Sequence, residues 1–160
     1  MINYSPWKVS ILFIVILYSC NAEDFCLSNQ HAVQTGFYSY NSVPNDKDTT
    51  LTDVSIYGVG KTDSIYKSVS LQKAFLPLSF LNDTTQFVIY LTQLKSDTIK
   101  FVHRKELNFI SGDCGYIFDF HLDTVLFSSS AYPIIDSVSI AYSEVKYGED
   151  IENVKIYIHY

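Results

Sequence analysis

From Tyr116 the chain reads Tyr-Ile-Phe-Asp-Phe-His-Leu, so Tyr116, Phe118, Phe120 and Leu122 fall on one side of an extended backbone and Ile117, Asp119 and His121 on the other. A period of two with aromatics on one side specifies a half-buried strand, and this stretch is the best core-strand candidate in the chain. Residues 32–40 read as a first strand, with Val33, Thr35 and Phe37 sharing a face. Residues 53–59 alternate and stop at Gly60, and Asp63 to Tyr66 and Ser68 to Leu71 give two short pieces. Pro77 interrupts the apolar run from Ala74 to Leu78, which suits an edge or crossing segment because proline cannot donate to a ladder. Residues 86–94 and 98–104 flank Lys95-Ser96-Asp97 with the spacing of a hairpin. Val125-Leu126-Phe127 is a further apolar piece. Residues 136–143 and 153–160 close the chain, with Val138, Ile140, Tyr142, Val154, Ile156, Ile158 and Tyr160 expected to face inward.

No stretch carries a helical period. The pattern predicts an all-β fold: one two-sheet β-sandwich, immunoglobulin-like or transthyretin-like, of about eight or nine short antiparallel strands. Residues 31–160 would form this single domain, with neither an internal repeat nor a boundary inside it. Composition agrees, since 16% of residues are aromatic and there is one Met. The 11 Lys and Arg stand against 17 Asp and Glu, a formal net charge of −6. Phosphate backbones would repel such a chain, so nucleic acid is not an expected partner.

Before the sandwich, Lys8 is followed by an apolar run from Val9 to Leu17 that would span only about 14 Å as a helix. That is too short to cross a bilayer and fits the apolar region of a secretory signal over residues 1–19. The run ends in Leu17-Tyr18-Ser19-Cys20, which resembles a bacterial lipobox. The resemblance implies that Cys20 is acylated and becomes the first residue of the mature protein, held by several acyl chains. An ordinary signal peptide cut near Ala22 is the alternative. The next residues, Asn21-Ala22-Glu23-Asp24, resemble the acidic signal that sends Bacteroidetes lipoproteins to the cell surface. Residues 20–30 would then be a lipidated N-terminus and tether, and the address a cell envelope, outer membrane, on its periplasmic or surface face.

With Cys20 assigned to lipid, Cys26 and Cys114 remain as an even pair in an oxidising compartment. A disulfide between them would close a loop of nearly 90 residues, for which chain-entropy models give roughly 4–5 kcal/mol. Two buried free thiols are the alternative. Six residues separate Cys20 from Cys26, so the tether would reach at most about 20 Å.

Taken in order, the lipobox, the cysteine six residues on, Asp53-Val-Ser-Ile-Tyr-Gly-Val-Gly60, Leu76-Pro-Leu78 and Phe109-Ile-Ser-Gly-Asp-Cys-Gly115 resemble the DUF6452 group of small Bacteroidetes lipoproteins. This likeness implies an address and a fold and carries no activity with it.

Candidate chemistry is sparse. Asp119, His121 and Asp123 share a strand face and could present three metal ligands, or a base with its orienting acid. Strand residues two apart stand nearly 7 Å from one another, so a solvent-facing polar side is the plainer reading and no metal or cofactor is expected. His31, His103 and His159 sit on separate elements and read as surface or rim residues. Asp46 and Asp48 suggest a calcium loop, but Thr50, Leu51 and Tyr57 occupy positions where an EF-hand needs other residues. No nucleophile elbow, phosphate loop or HExxH motif appears, so catalysis has no support in the sequence. The single Trp, Trp7, leaves with the signal, so a glycan platform would fall to exposed tyrosines such as Tyr38, Tyr57, Tyr90 or Tyr157. Six aspartates precede a hydroxyl residue in a triplet resembling the O-glycosylation acceptor of exported Bacteroidetes proteins. The hydroxyls are Thr49, Ser64, Thr84, Thr98, Thr124 and Ser137. The same triplet also marks turn-to-strand junctions.

The expectation that follows is a non-catalytic, lipid-anchored envelope protein that acts by binding or structural support, with an unidentified protein or glycan partner. The alternative is a glycan-binding or hydrolytic accessory of a nutrient-uptake system.

Overall fold

The computed structural model describes residues 32–40, 48–92, 95–112, 114–129, 131, 133–146 and 148–159. Within them the chain is all strand: β1 (Ala32–Ser39), β2 (Leu51–Gly58), β3 (Ser64–Leu71), β4 (Lys73–Pro77), β5 (Thr84–Thr92), β6 (Lys95–Ser111), β7 (Gly115–Ser129), β8 (Ile135–Ile140), β9 (Glu144–Val145) and β10 (Val154–Ile158). They form a four-stranded sheet in the order β4-β1-β10-β8 and a six-stranded sheet in the order β3-β2-β5-β6-β7-β9. One apolar core lies between the sheets, joining Val33, Phe37, Leu76, Val154 and Ile156 to Val54, Ile56, Phe87, Ile89, Ile99, Phe101 and Phe120. The expected two-sheet sandwich is the fold. β1 is central to its sheet and has both faces covered, which is why Gln34, Thr35 and Tyr38 are buried along with Val33 and Phe37.

Three features depart from the expectation. β1 and β10 pair in parallel, with Thr35 opposite Val154 and Ser39 opposite Ile158, so the sandwich is not wholly antiparallel. Ser68 has φ 47°, a left-handed conformation at a bulge where the β2–β3 register slips, and this single bent strand stands where two short pieces were expected. The hairpin turn does not use Lys95-Ser96-Asp97, because Lys95 already pairs with Thr92 and Asp97 with Ile89.

Asp97 instead serves as a stitch between sheets. Its carboxyl Oδ2 accepts the backbone N–H groups of Ile134 and Ile135, each at 2.7 Å, at the entry to β8 in the opposite sheet. Asn153 makes a second stitch. Its Oδ1 accepts the Gln34 N–H at 3.0 Å, and its Nδ2 donates to the carbonyls of Tyr142 (3.2 Å) and Glu144 (2.7 Å), where the chain crosses from one sheet to the other. Both residues are buried, and these bonds satisfy polar groups that would otherwise cost about 1–3 kcal/mol each.

The two longest strands are β6 and β7, of 17 and 15 residues. β5 accompanies β6 only as far as Val102, which lies opposite Thr84. Beyond that point β6 pairs, among the described residues, with β7 alone, from His103 opposite Leu122 to Ser111 opposite Gly115. β9 flanks β7 at Phe120 and His121, and beyond it the distal ends of β6 and β7 continue, among the described residues, as a two-stranded ribbon.

Candidate functional site

The ribbon has two unlike faces. On the outer face Arg104 lies opposite His121, Glu106 opposite Asp119 and Asn108 opposite Ile117, and β9 adds Glu144 beside His121. Arg104 grips Asp123 through Nε at 2.9 and 3.1 Å and through a terminal nitrogen at 2.8 Å, and this hydrogen-bonded carboxylate raises the arginine pKa further. His121 Nδ1 meets Glu144 Oε1 at 2.5 Å, while its Nε2 stands 3.9 Å from Asp123 Oδ1. Lys146 Nζ is 3.9 Å from the other Glu144 oxygen.

The face expected for Asp119, His121 and Asp123 thus exists, with a different internal order. Asp119 accepts a 2.7 Å hydrogen bond from Asn108 Nδ2 and is largely buried. The acid that orients His121 is Glu144 from β9, a two-residue strand that the sequence pattern did not reveal. Among the described residues no group of three His, Cys, Asp or Glu side chains is placed to hold a metal ion. A small depression nearby is lined by Ala32, Glu144, Val145, Lys146, Glu149, Ile151 and Asn153, and His121 is not in its wall. His121 is thus held between two carboxylates on a partly exposed strand face.

The inner face is apolar. Leu107 pairs with Phe118 and Phe109 with Tyr116, whose rings meet edge-on at 5.3 Å. Phe120 and Leu122 continue this face into the core. At the base, Phe80 packs against Phe118 and Phe120 at 6.0 and 5.4 Å, and Lys105 Nζ donates to the Phe80 carbonyl at 2.6 Å. His103 belongs to this face too and is buried, contrary to the expected surface position. Its ring stands edge-on to Phe120 at 5.3 Å. Its Nε2 lies 2.9 Å from Thr85 Oγ1, a hydroxyl that itself accepts the Ser79 N–H at 2.8 Å. Burial lowers the His103 pKa from its ordinary value, partly opposed by the charge of Asp83.

Towards the tip, cover is lost. Leu107, Phe109 and Tyr116 are 57%, 60% and 67% exposed. The turn that joins the strands carries Cys114, which is disulfide-bonded and whose N–H donates to Ser111 Oγ at 3.1 Å. Cys26, its expected partner, and the lipidation candidate Cys20 lie outside the described residues, as does His31.

The model for a family of unknown function, DUF6452, matches residues 53–158. The chain belongs to the DUF6452 family. That match runs from within β2 to the end of β10 and so takes in both faces of the ribbon, the tip cysteine, the Asp97 stitch and Asn153, but not β1 with its Gln34. No curated protein and no solved structure matches this DUF6452 chain.

The other candidates are dispersed. Tyr38 is buried and donates to Glu152 Oε1 at 2.8 Å, and Tyr57, Tyr90 and Tyr157 are only partly exposed, so these four are not fully exposed rings. Of the six hydroxyl residues, Ser64 and Thr84 do begin strands, and Thr49 lies in the loop before β2. Thr98 and Thr124 lie inside β6 and β7, away from any turn, and Ser137 lies within β8.

Proposed function

We propose that this DUF6452 protein is a non-catalytic, lipid-anchored protein of a bacterial envelope, of the Bacteroidetes lipoprotein kind, that acts by binding or structural support. The observation that carries the binding reading is the exposed apolar inner face of the ribbon, since contiguous apolar side chains left bare on a folded body mark interaction surfaces. The lipobox-like Leu17–Cys20 segment supports the anchor, and the disulfide at Cys114 supports an oxidising compartment. Cys26 is the partner this reading assigns to Cys114, and the outer membrane is the address it assigns to the chain.

The non-catalytic reading is supported by His121 facing two carboxylates, Glu144 and Asp123, and lying outside the lining of the small depression beside Glu144. Intact-mass measurement and detergent phase partition of the natively expressed protein test the anchor. A mass equal to residues 20–160 plus acyl chains, with partition into the detergent phase that Cys20→Ala abolishes, is the expected result. A full-length, water-partitioning chain overturns it. The same spectrum reports glycan on any of the six hydroxyl residues.

A further inference from the structure

We propose that the bare inner face of the ribbon, formed by Leu107, Phe109 and Tyr116, is a second membrane contact that seats in the boundary between headgroups and acyl chains of the bilayer. This proposal rests on the lipid-anchor reading above. Its own support is the position of the apolar face relative to the staple. Cys114 occupies the turn at the ribbon tip and is disulfide-bonded. Phe109 lies two residues before Ser111 at the end of β6, and Tyr116 follows Gly115 at the start of β7. At about 3.3 Å per residue the whole apolar face lies within roughly 15 Å of the cysteine. With Cys26 as its partner, six residues then separate the staple from the acylated residue, a tether of at most about 20 Å. The tip, with its exposed aromatics, is thereby kept close to the bilayer surface.

The chemistry of the two faces matches that placement. Tyrosine, phenylalanine and leucine are the side chains that settle at the headgroup level, the tyrosine ring buried and its hydroxyl wet. Lys105 lies on the same face further from the tip, with its ammonium beside the Phe80 carbonyl, at the height where a long cationic side chain meets lipid phosphate. On the opposite face Arg104, Glu106, Asp123 and Glu144 keep their charges in water. A ribbon with this division lies along an interface and would not cross it. Because the protein is acidic overall, the surface it fits is zwitterionic and not anionic.

The mature chain of this reading contains no tryptophan, so one placed in the face is a clean depth probe. The acylated full chain carrying Phe109→Trp, and separately Tyr116→Trp on the facing strand, is reconstituted in phosphatidylcholine vesicles with bromine-labelled acyl chains. Val59→Trp, exposed in the β2–β3 turn, is the reference. Blue-shifted emission that is quenched at 109 and 116, and unquenched at 59, is the expected result. An acylated protein in which 109 and 116 are quenched no more than 59 overturns the membrane contact while the anchor stands. A chain without acyl mass overturns the anchor and the contact with it. Blue-shifted emission at 109 that disappears on dilution of the protein at constant detergent concentration assigns the face to a second copy of the chain and also overturns the proposal.

Discussion

Phe101 and Phe109 occupy the same strand and the same face of the six-stranded sheet, eight residues apart, yet Phe101 is buried and Phe109 is 60% exposed. Around Phe101 the second sheet covers the face, and the Phe87 ring stands edge-on at 6.1 Å. Phe109 is left 60% exposed, and its ring meets Tyr116 on the paired strand at 5.3 Å. The pleat is identical in the two halves, so alternation alone tells which side a residue faces and nothing about whether that side is covered. Cover depends on what the rest of the fold lays over that side, which pairing within the sheet does not set.

The largest expected effect tests this contrast directly. Phe101→Ala opens a cavity in the core and should cost about 3–5 kcal/mol, whereas Phe109→Ala removes an exposed ring and one edge-on pair, at most about 1 kcal/mol. Urea midpoints at constant slope measure both. Equal losses would mean that the ribbon is packed like the body, and the division into two regions would have to be given up.

Next in size is the stitch at Asp97. Asp97→Ala leaves two buried N–H groups at Ile134 and Ile135 without this acceptor and should cost roughly 2–4 kcal/mol. Asp97→Asn retains an oxygen at the site and should cost less. The residue sits in the covered half of β6, so the loss belongs to the body. Hydrogen exchange at 134 and 135 should rise in the alanine variant before exchange in the ribbon does; the reverse order would place the stitch in the wrong region.

His103 sits where body and ribbon meet and gives a pH-dependent effect. Burial lowers its pKa in the folded state, with Lys105 adding to the shift and Asp83 and Asp123 opposing it. The unfolded chain takes up a proton below the ordinary value of 6.5 while the folded ring resists, so the unfolded state binds more protons there. Stability is therefore full above that pH and falls as pH drops below it towards the lowered folded value. His103→Gln should flatten this part of the profile relative to the parent chain. An unchanged slope would show that the boundary is wet and that the ribbon begins earlier than Arg104.

Much of the body was legible because burial there follows the local pattern. Val33, Thr35 and Phe37, the 53–59 segment, and Val154, Ile156 and Ile158 all lie where alternation put them. Ile140 and Tyr142 are expected inside; Ile140, the last residue of the edge strand β8, is exposed, and Tyr142, beyond the end of β8, is half-buried. The ribbon was half legible. Its return strand was seen from Tyr116 to Leu122, but the strand before it was stopped at Arg104, because Arg-Lys-Glu-Leu-Asn offers no covered face to betray an extended chain. Asp97 looked like a turn residue because aspartate usually is one, and only the approach of β8 from the other sheet makes a buried strand position tolerable for it. His103 falls in the inward series of Ile99 and Phe101, a signal that was present, and its partner Thr85 supplies the hydrogen bond that burial demands. The pairing of His121 with Glu144 left no trace in the sequence, since the two residues meet only through a two-residue strand.

The smallest effect is expected on the outer face of the ribbon. Arg104 stands in water and holds Asp123 through three nitrogen–oxygen contacts, an arrangement with good geometry in a solvent that screens it. If the ribbon is held by its own ladder and by the disulfide at its tip, removing this pair leaves the body's unfolding unchanged. Arg104→Gln should therefore shift the urea midpoint by no more than the error of measurement at physiological salt, and only slightly at low ionic strength, where screening weakens. A clear loss at physiological salt would show that the pair braces the ribbon against the body, and would make the outer face, and not the core beneath Phe80, the joint between the two regions.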